Sequence, residues 1–269
     1  MTSTRITASG AVIMAALLAM PVVYAERMTD NDVKALLERI DHERDRFEDQ
    51  LDGTVKRSIV RGPGGEVDVE RYLDDLQENV DKLKDRFTSQ YAASAEATTV
   101  LRQGSVIQRF MAAQPPNFDG ASEWNRLAKS LGELAAVYGT TMPMPDGQQA
   151  RRLNDREVKK AAEDLAKSAD QFKKDLDLSL KNDKAIDQAT REAAVDEADA
   201  LKQDAKKLAS VVGDGRPASG EAQALLDRGA RLRSASAGRT LSPAARTSWE
   251  AVEVGLGKVA QAFNLPSRS

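Results

Sequence analysis

SAEATTVLRQG at residues 94–104 recurs as SGEAQALLDRG at residues 219–229, an offset of 125 residues with no gap. Ser94 falls on Ser219, Glu96-Ala97 on Glu221-Ala222, Leu101 on Leu226 and Gly104 on Gly229. Working outward, the register holds back to Asp30 on Asp155 and forward to Tyr138 on Phe263. Within it Phe47 meets Phe172, Leu51 meets Leu176, Leu76 meets Leu201, and Leu83 meets Leu208. Further on, Trp124 meets Trp249, Leu131-Gly132 meets Leu256-Gly257, and Ala135 meets Ala260. Most matched residues are apolar or glycine, the kinds that define a packed core. A period this long fits a duplicated small domain, not a solenoid with repeats of about 20–50 residues.

Each copy opens on a helix signal. Thr29 and Asn154 stand three residues before Asp32 and Glu157, the spacing of a capping side chain and its reciprocal carboxylate. An apolar stripe of Val33, Leu37, Ile40, Phe47, Leu51 and Val55 follows, with Val158, Ala162, Leu165, Phe172, Leu176 and Leu180 as its counterpart. Steps of three and four put such residues on one face of a helix. Gly62-Pro63-Gly64-Gly65 is expected to end the first of these helices; the second copy has only Asn182-Asp183 there, so its corner is tighter or its helix longer. A second helix is expected from about Val67 to Gln90, with Val69, Tyr72, Leu76, Val80, Leu83 and Phe87 at heptad spacing. Its twin carries Ala194, Leu201, Ala205, Leu208 and Val212. Third helices are expected near Ser94 and Ser219, and fourth helices near Ala121 and Ser242-Pro243, where Ser-Pro reads as N-cap and N1. No strand signal is read anywhere. The expected fold is all-α: two tandem antiparallel four-helix bundles related by the 125-residue duplication, packed at roughly 20°. Residues 26–141 form the first, 142–153 a Pro/Gly linker, and 154–269 the second. An elongated array in which helix four of the first copy runs on into the second is the alternative. Met142-Pro143-Met144-Pro145 opposes it, because proline removes a donor and clashes with the preceding turn.

The first 25 residues read as a signal peptide. Arg5 supplies the positive start, Ala11 to Met20 is unbroken apolar sequence, and Val23-Tyr24-Ala25 places small residues for cleavage after Ala25. The run is shorter than the roughly 20 residues that span a bilayer. A periplasmic or secreted protein is therefore expected, and an uncleaved anchor is the alternative. With no cysteine, there is no disulfide and no thiolate chemistry, and each half of about 115 residues must hold itself by packing. Residues 26–150 carry 23 Asp+Glu against 16 Lys+Arg, and residues 151–269 carry 19 against 22, so the halves differ in sign, −7 against +3. Such fields act on solubility and association, not on fold. Nucleic acid is not implied, since no basic cluster is interleaved with aromatics.

The candidate sites are sparse. Gly104, Gly132, Gly229 and Gly257 interrupt apolar helical patterns at a cost of about 1 kcal/mol each, which points to close approach of helices three and four or cover by the Trp124 and Trp249 indoles. On that reading leucine at Gly132 or Gly257 overpacks the core. His42 is the only histidine, flanked by Asp41, Glu43 and Asp45, which rules out a site of several imidazoles. Met142 and Met144, with Met28 and Met111 elsewhere, are too few soft ligands for a Cu(I) site. Asp41, Glu43, Asp45, Asp74 and Asp75 sit beside Arg and Lys at ion-pair spacing, as on a solvated face. Arg228, Arg231, Arg233, Arg239 and Arg246 form the one basic concentration, which offers weak contact with an anionic membrane surface. Without cysteine and with one histidine, nucleophile and general base are nearly missing. No catalytic, cofactor or metal residue is assigned and no enzyme is expected. The expectation is a non-enzymatic interaction or scaffold protein of the bacterial envelope with a protein partner. A carrier or sensor for a small apolar ligand, its cavity lined by the Trp and Gly pairs, is the alternative, and a metal-binding protein a third.

Overall fold

The computed structural model describes residues 26–62, 65–183, 186–236 and 240–266; the expected signal peptide lies outside the described residues. The described chain is mostly helical. Its helices are α1 (Asp30–Gln50), α2 (Gly53–Lys56), α3 (Val69–Arg86), α4 (Ser94–Ala112), α5 (Ala121–Val137), α6 (Asp155–Lys181), α7 (Gln188–Gly213), α8 (Ser219–Ser236) and α9 (Pro243–Ala262). Strands β1 (Ile59–Gly62) and β2 (Gly65–Asp68) pair antiparallel.

Local chemistry sets the boundaries. Thr29 and Asn154 cap α1 and α6 in full capping boxes with Asp32 and Glu157. Asp187 caps α7, and Ser242 with Pro243 at the first turn caps α9. Helix α1 nonetheless stops at Gln50, well short of the glycine run. Leu51 turns extended, and Asp52 accepts the Thr54 amide at 2.6 Å to start the four-residue α2. The stretch read as helix and glycine stop is therefore a hairpin, which corrects the expectation that strands are missing. Ile59 and Val60 alternate exposed and buried, Val60 pairs with Val67, and Gly65 takes φ +110°, a conformation open chiefly to glycine. One β-branched pair, Val60 with Val67, is too short a pattern to stand out against a helical period. The matching, gapless stretch of the second half instead runs α6 on to Lys181 and starts α7 at Gln188, ahead of the Ala194 that matches Val69.

Helices α1, α3, α4 and α5 close a ring of neighbours: α1 packs on α3 and α5, and α4 on α3 and α5. Helices α6, α7, α8 and α9 repeat that ring in the same order. Each ring surrounds its own core cluster, one built on Phe47, Leu76, Leu101 and Leu127, the other on Phe172, Leu201, Leu226 and Val252. Trp124 packs its ring 5.5 Å from Phe47, and Trp249 lies 5.0 Å from Phe172. The indoles thus belong to the walls of the helix pairs and not to a ligand cavity.

The four recurring glycines divide into two kinds. A Cβ on Gly104 would lie 2.6 Å from Met142 Cε and 3.1 Å from Leu131 Cδ1, and one on Gly229 would lie 2.5 Å from Leu256 Cδ1. These are the close approaches of α4 on α5 and of α8 on α9. A Cβ on Gly132 or Gly257 would meet nothing within 4 Å, so the expectation that both positions are crowded is overturned. They face outward from the helix contact. Gly132→Ala and Gly257→Ala should each raise stability by about 0.5–1 kcal/mol, since alanine restricts the unfolded chain and meets no neighbour. Thermal melting of the single variants checks this, and a fall in Tm for either one refutes the open-space reading.

Residues 142–153, composed like a linker, lie along α4. The Met144 amide donates to Ser105 Oγ at 2.7 Å, that of Ala150 to Thr98 Oγ1 at 3.0 Å and that of Arg152 to Ser94 Oγ at 3.3 Å. The chain therefore runs antiparallel to α4, anchored on three hydroxyls. Met142 seats its methyl on Gly104, and Met144 and Met111 are buried in the first core, so these methionines are packing residues.

Candidate functional site: the seam between the halves

The two halves meet where α1 and α6 begin. Arg27 Nη1 pairs with Asp155 Oδ1 at 2.6 Å, and Arg152 Nη1 with Asp30 Oδ1 at 2.8 Å. Arg27 Nη2 donates to the Leu153 carbonyl and Arg152 Nη2 to the Met28 carbonyl, both at 2.8 Å. The Asp30 amide donates to Asp155 Oδ2 at 2.8 Å, and the Asp155 amide to Asp30 Oδ2 at 3.0 Å. The Arg27 amide donates to Ser219 Oγ at 3.0 Å, as that of Arg152 does to Ser94 Oγ. Every contact is repeated with both partners moved by 125 residues. Each aspartate sits in the first turn of its own helix and accepts the Asp amide that opens the other, where the helix dipole favours negative charge.

The seam is dry and charged. The Arg152 side chain is 3% exposed and the Arg27 side chain 10%. Arg152 lies over the Phe87 ring and Arg27 over the Phe263 ring, each 5.6 Å from the centroid. Burial pushes the Asp30 carboxyl above its usual range against the pull of Arg152, and burial pushes the Arg152 guanidinium down. The helix ends join in. Gly139 and Asn264 both take left-handed backbone (φ +66° and +50°) after α5 and α9, and Asn264 Nδ2 donates to the Ala136 carbonyl at 3.2 Å. Glu26 Oε1 accepts the Ala218 and Ser219 amides at 3.0 and 2.9 Å, capping α8, whereas α4 has no side-chain cap among the described residues. Arg151, opposite Glu26 in the repeat, instead gives its amide to the Tyr138 carbonyl at 2.9 Å.

Two grooves flank the seam. One, of 380 Å³, is lined by Met28, Val137 and Phe263 together with Glu26, Glu133, Arg27 and Arg152. The other, of 290 Å³, includes Ser94, Arg151, Leu153 and Gln261. Residues 26–28 of the first correspond to 151–153 of the second, so the grooves are counterparts, the first lined by charges of both signs and the second by Arg151 and Arg152.

The residues singled out from sequence lie elsewhere. His42 is exposed on α1, and among the described residues no group of three His, Cys, Asp or Glu is placed to hold a metal ion. Asp41 accepts Lys84 Nζ at 2.6 Å, Asp45 pairs with Arg44 at 3.4 Å, and Asp74 and Asp75 face solvent. The basic concentration is largely neutralised. Arg228 bonds Asp204 and Glu197 at 2.6 and 2.9 Å, Arg231 bonds Glu197 at 3.1 Å, and Arg233 bonds Glu253 at 2.9 Å. Arg246 is exposed and Arg239 lies outside the described residues. Among the described residues no helix is long and apolar enough to cross a membrane.

The α1–α3 and α6–α7 faces carry ion pairs with a pH signature. Hydrogen bonds from Lys173 and Gln203 hold the Asp199 carboxyl down to about 2. Burial raises the Asp41 carboxyl, and hydrogen bonds from Lys84 and Gln77 more than reverse it. A carboxyl held below its unfolded value near 3.8 contributes stability that is complete above that value and is lost as pH falls through the folded one. The urea midpoint is therefore expected to decline as pH drops from 3.8 toward 2, and Lys173→Met should flatten the decline. An unchanged slope in that variant refutes the assignment.

The seam arginines lie just ahead of the register that starts at Asp30 on Asp155. Arg27-Met28-Thr29-Asp30 against Arg152-Leu153-Asn154-Asp155 carries the pattern three residues further back, an arginine before a cap-and-aspartate pair in both copies. Compared with protein-family models, curated proteins and solved structures, the chain matches none.

Proposed function

We propose that the chain is two tandem antiparallel four-helix bundles from one duplicated unit, exported from a bacterial cell, and that it serves as a non-enzymatic scaffold of the envelope. The observation that supports this reading is the reciprocal seam, which fixes two similar helical units against each other. Helices α1 (21 residues) and α6 (27 residues) both start at the seam and run away from it. At about 1.5 Å per residue, their far ends stand up to about 70 Å apart. Two like modules at a set spacing can engage two copies of a protein partner and gain avidity. The leader composition supports export. Residues 26–269 should show one mass in native and denatured spectra, and cross-linking in the native host should recover two partner copies per chain. A stoichiometry of one removes the bridging role.

A carrier of a small apolar ligand is the second reading, favoured by the 380 Å³ groove with its lining of Met28, Val137 and Phe263. Extra mass lost on denaturation would put this reading first. With Arg228, Arg231 and Arg233 ion-paired, contact with an anionic membrane surface has the least support.

A further inference from the structure

We infer that the seam is a homotypic interface: each half carries both sides of its contact set, so the face that one half turns to the other also fits a second copy of itself. This rests on the duplicated unit of the proposed reading and not on the scaffold role. In a two-fold interface residue i meets j while j meets i, and residues nearest the axis meet their own counterparts. The seam has both marks. Arg27 meets Asp155 while Arg152 meets Asp30, and the Arg27 amide meets Ser219 while that of Arg152 meets Ser94. Asp30 meets Asp155, its own match in the repeat, through two exchanged amide bonds. A Cβ on Gly139 would lie 3.4 Å from Oδ1 of its match Asn264, and the matched pair Val137 and Ala262 borders both grooves.

The first half owns every group the contact needs. Arg27 supplies the guanidinium and the amide, Met28 the carbonyl, Asp30 the carboxylate and Ser94 the hydroxyl. Two copies of residues 26–150 therefore pair Arg27 with Asp30, the Arg27 amide with Ser94, and Asp30 with Asp30 across the axis. Glu26 then falls at the start of α4, where the helix dipole favours a carboxylate, as it does at α8. Second halves paired alike would bring Arg151 to the start of α8 instead, so the first half is the better partner for itself. The cores permit the separation. The first hydrophobic cluster lies wholly between Met28 and Ala150 and the second between Leu153 and Leu265, so neither borrows from the other. Each half is thus a folding unit in its own right. In the whole chain the tether favours the unlike pair through effective concentration, and without it the like pair can form.

The test compares residues 26–150 with residues 26–269, and the lack of cysteine makes site-directed cross-linking simple. In the longer chain, Val137→Cys with Ala262→Cys should be joined internally by a short bifunctional thiol reagent, which locates the axis. In residues 26–150, Val137→Cys alone should be joined to a second copy, doubling the mass. The unmodified fragment should sediment as a concentration-dependent dimer at about 0.15 M salt, where its net charge of −7 is screened. Arg27→Glu and Asp30→Lys should each weaken this self-association by about tenfold or more. An equal mixture of the two variants should restore it, since each altered residue then faces its opposite charge. Far-UV circular dichroism reports the fold of every fragment. A folded fragment that stays monomeric and escapes cross-linking overturns the homotypic seam and leaves the two-unit reading standing. A dimer indifferent to both charge variants overturns it as well, since another face then makes the contact. A fragment that does not fold overturns the two-unit reading along with it.

Discussion

Arg152→Ala should lower unfolding stability by about 3–5 kcal/mol, read as a fall in urea midpoint. The cost does not come from the attraction that is lost. Arg152 brings two carbonyl contacts and an ion pair into a site where its side chain is 3% exposed, and Asp30 is buried with it. Removing the guanidinium leaves the Asp30 carboxylate with one amide partner in a poorly solvated place, and that stranded charge dominates. The companion variant separates the two effects. Replacing both partners, Arg152→Met with Asp30→Leu, should recover most of the loss, because neither charge then has to be desolvated. If the double variant is as unstable as the single one, packing of the arginine stem over Phe87 carries the effect.

Gly229→Leu should cost about 1–3 kcal/mol or more, whereas Gly257→Leu on the neighbouring helix should cost far less. The two glycines are alike in sequence, each inside an apolar helical pattern and each matched 125 residues earlier. Space decides between them. A Cβ on Gly229 would stand 2.5 Å from Leu256 Cδ1, 3.1 Å from Cδ2 and 3.4 Å from Cγ, so no single rotation of that short branched chain clears it. Helix α8 has to move off α9. Gly104 is the softer case, because the nearest atom is the end of the flexible Met142 chain. Gly104→Ala should therefore be better tolerated than Gly229→Ala, and thermal melting of the pair checks the order.

How far the fold could be read from residues follows from the length of each signal. Caps at Thr29, Asn154 and Ser242 combine with long apolar stripes, so helix starts near Ser94, Ser219 and Pro243 agree between sequence and structure. The hairpin was hidden because Ile59, Val60 and Val67 are too few to show a two-residue period beside a strong helical one. The seam was hidden for another reason. Its ion-paired partners, Arg27 with Asp155 and Arg152 with Asp30, are 122 residues apart or more, and an arginine outside a helix carries no periodic signal. Only the repeat exposes it, because one unit displays the residue that the other must answer. Glycine spacing likewise marks a helix contact without saying which face a glycine occupies, which is why Gly132 and Gly257 were misread.

The strap along α4 also fixes where the second half starts. Between Arg152 and the cap of α6 lies only Leu153, so the place where the second half begins is dictated by hydroxyls of the first. The core of the leading half includes strap residues Met144 and Ala150. The start of α8 in turn is met by Glu26 and Arg27, residues that stand ahead of α1. Each half is thus tied in place at its start by the other, the first through residues 26 and 27 on α8 and the second through Arg152 on α4.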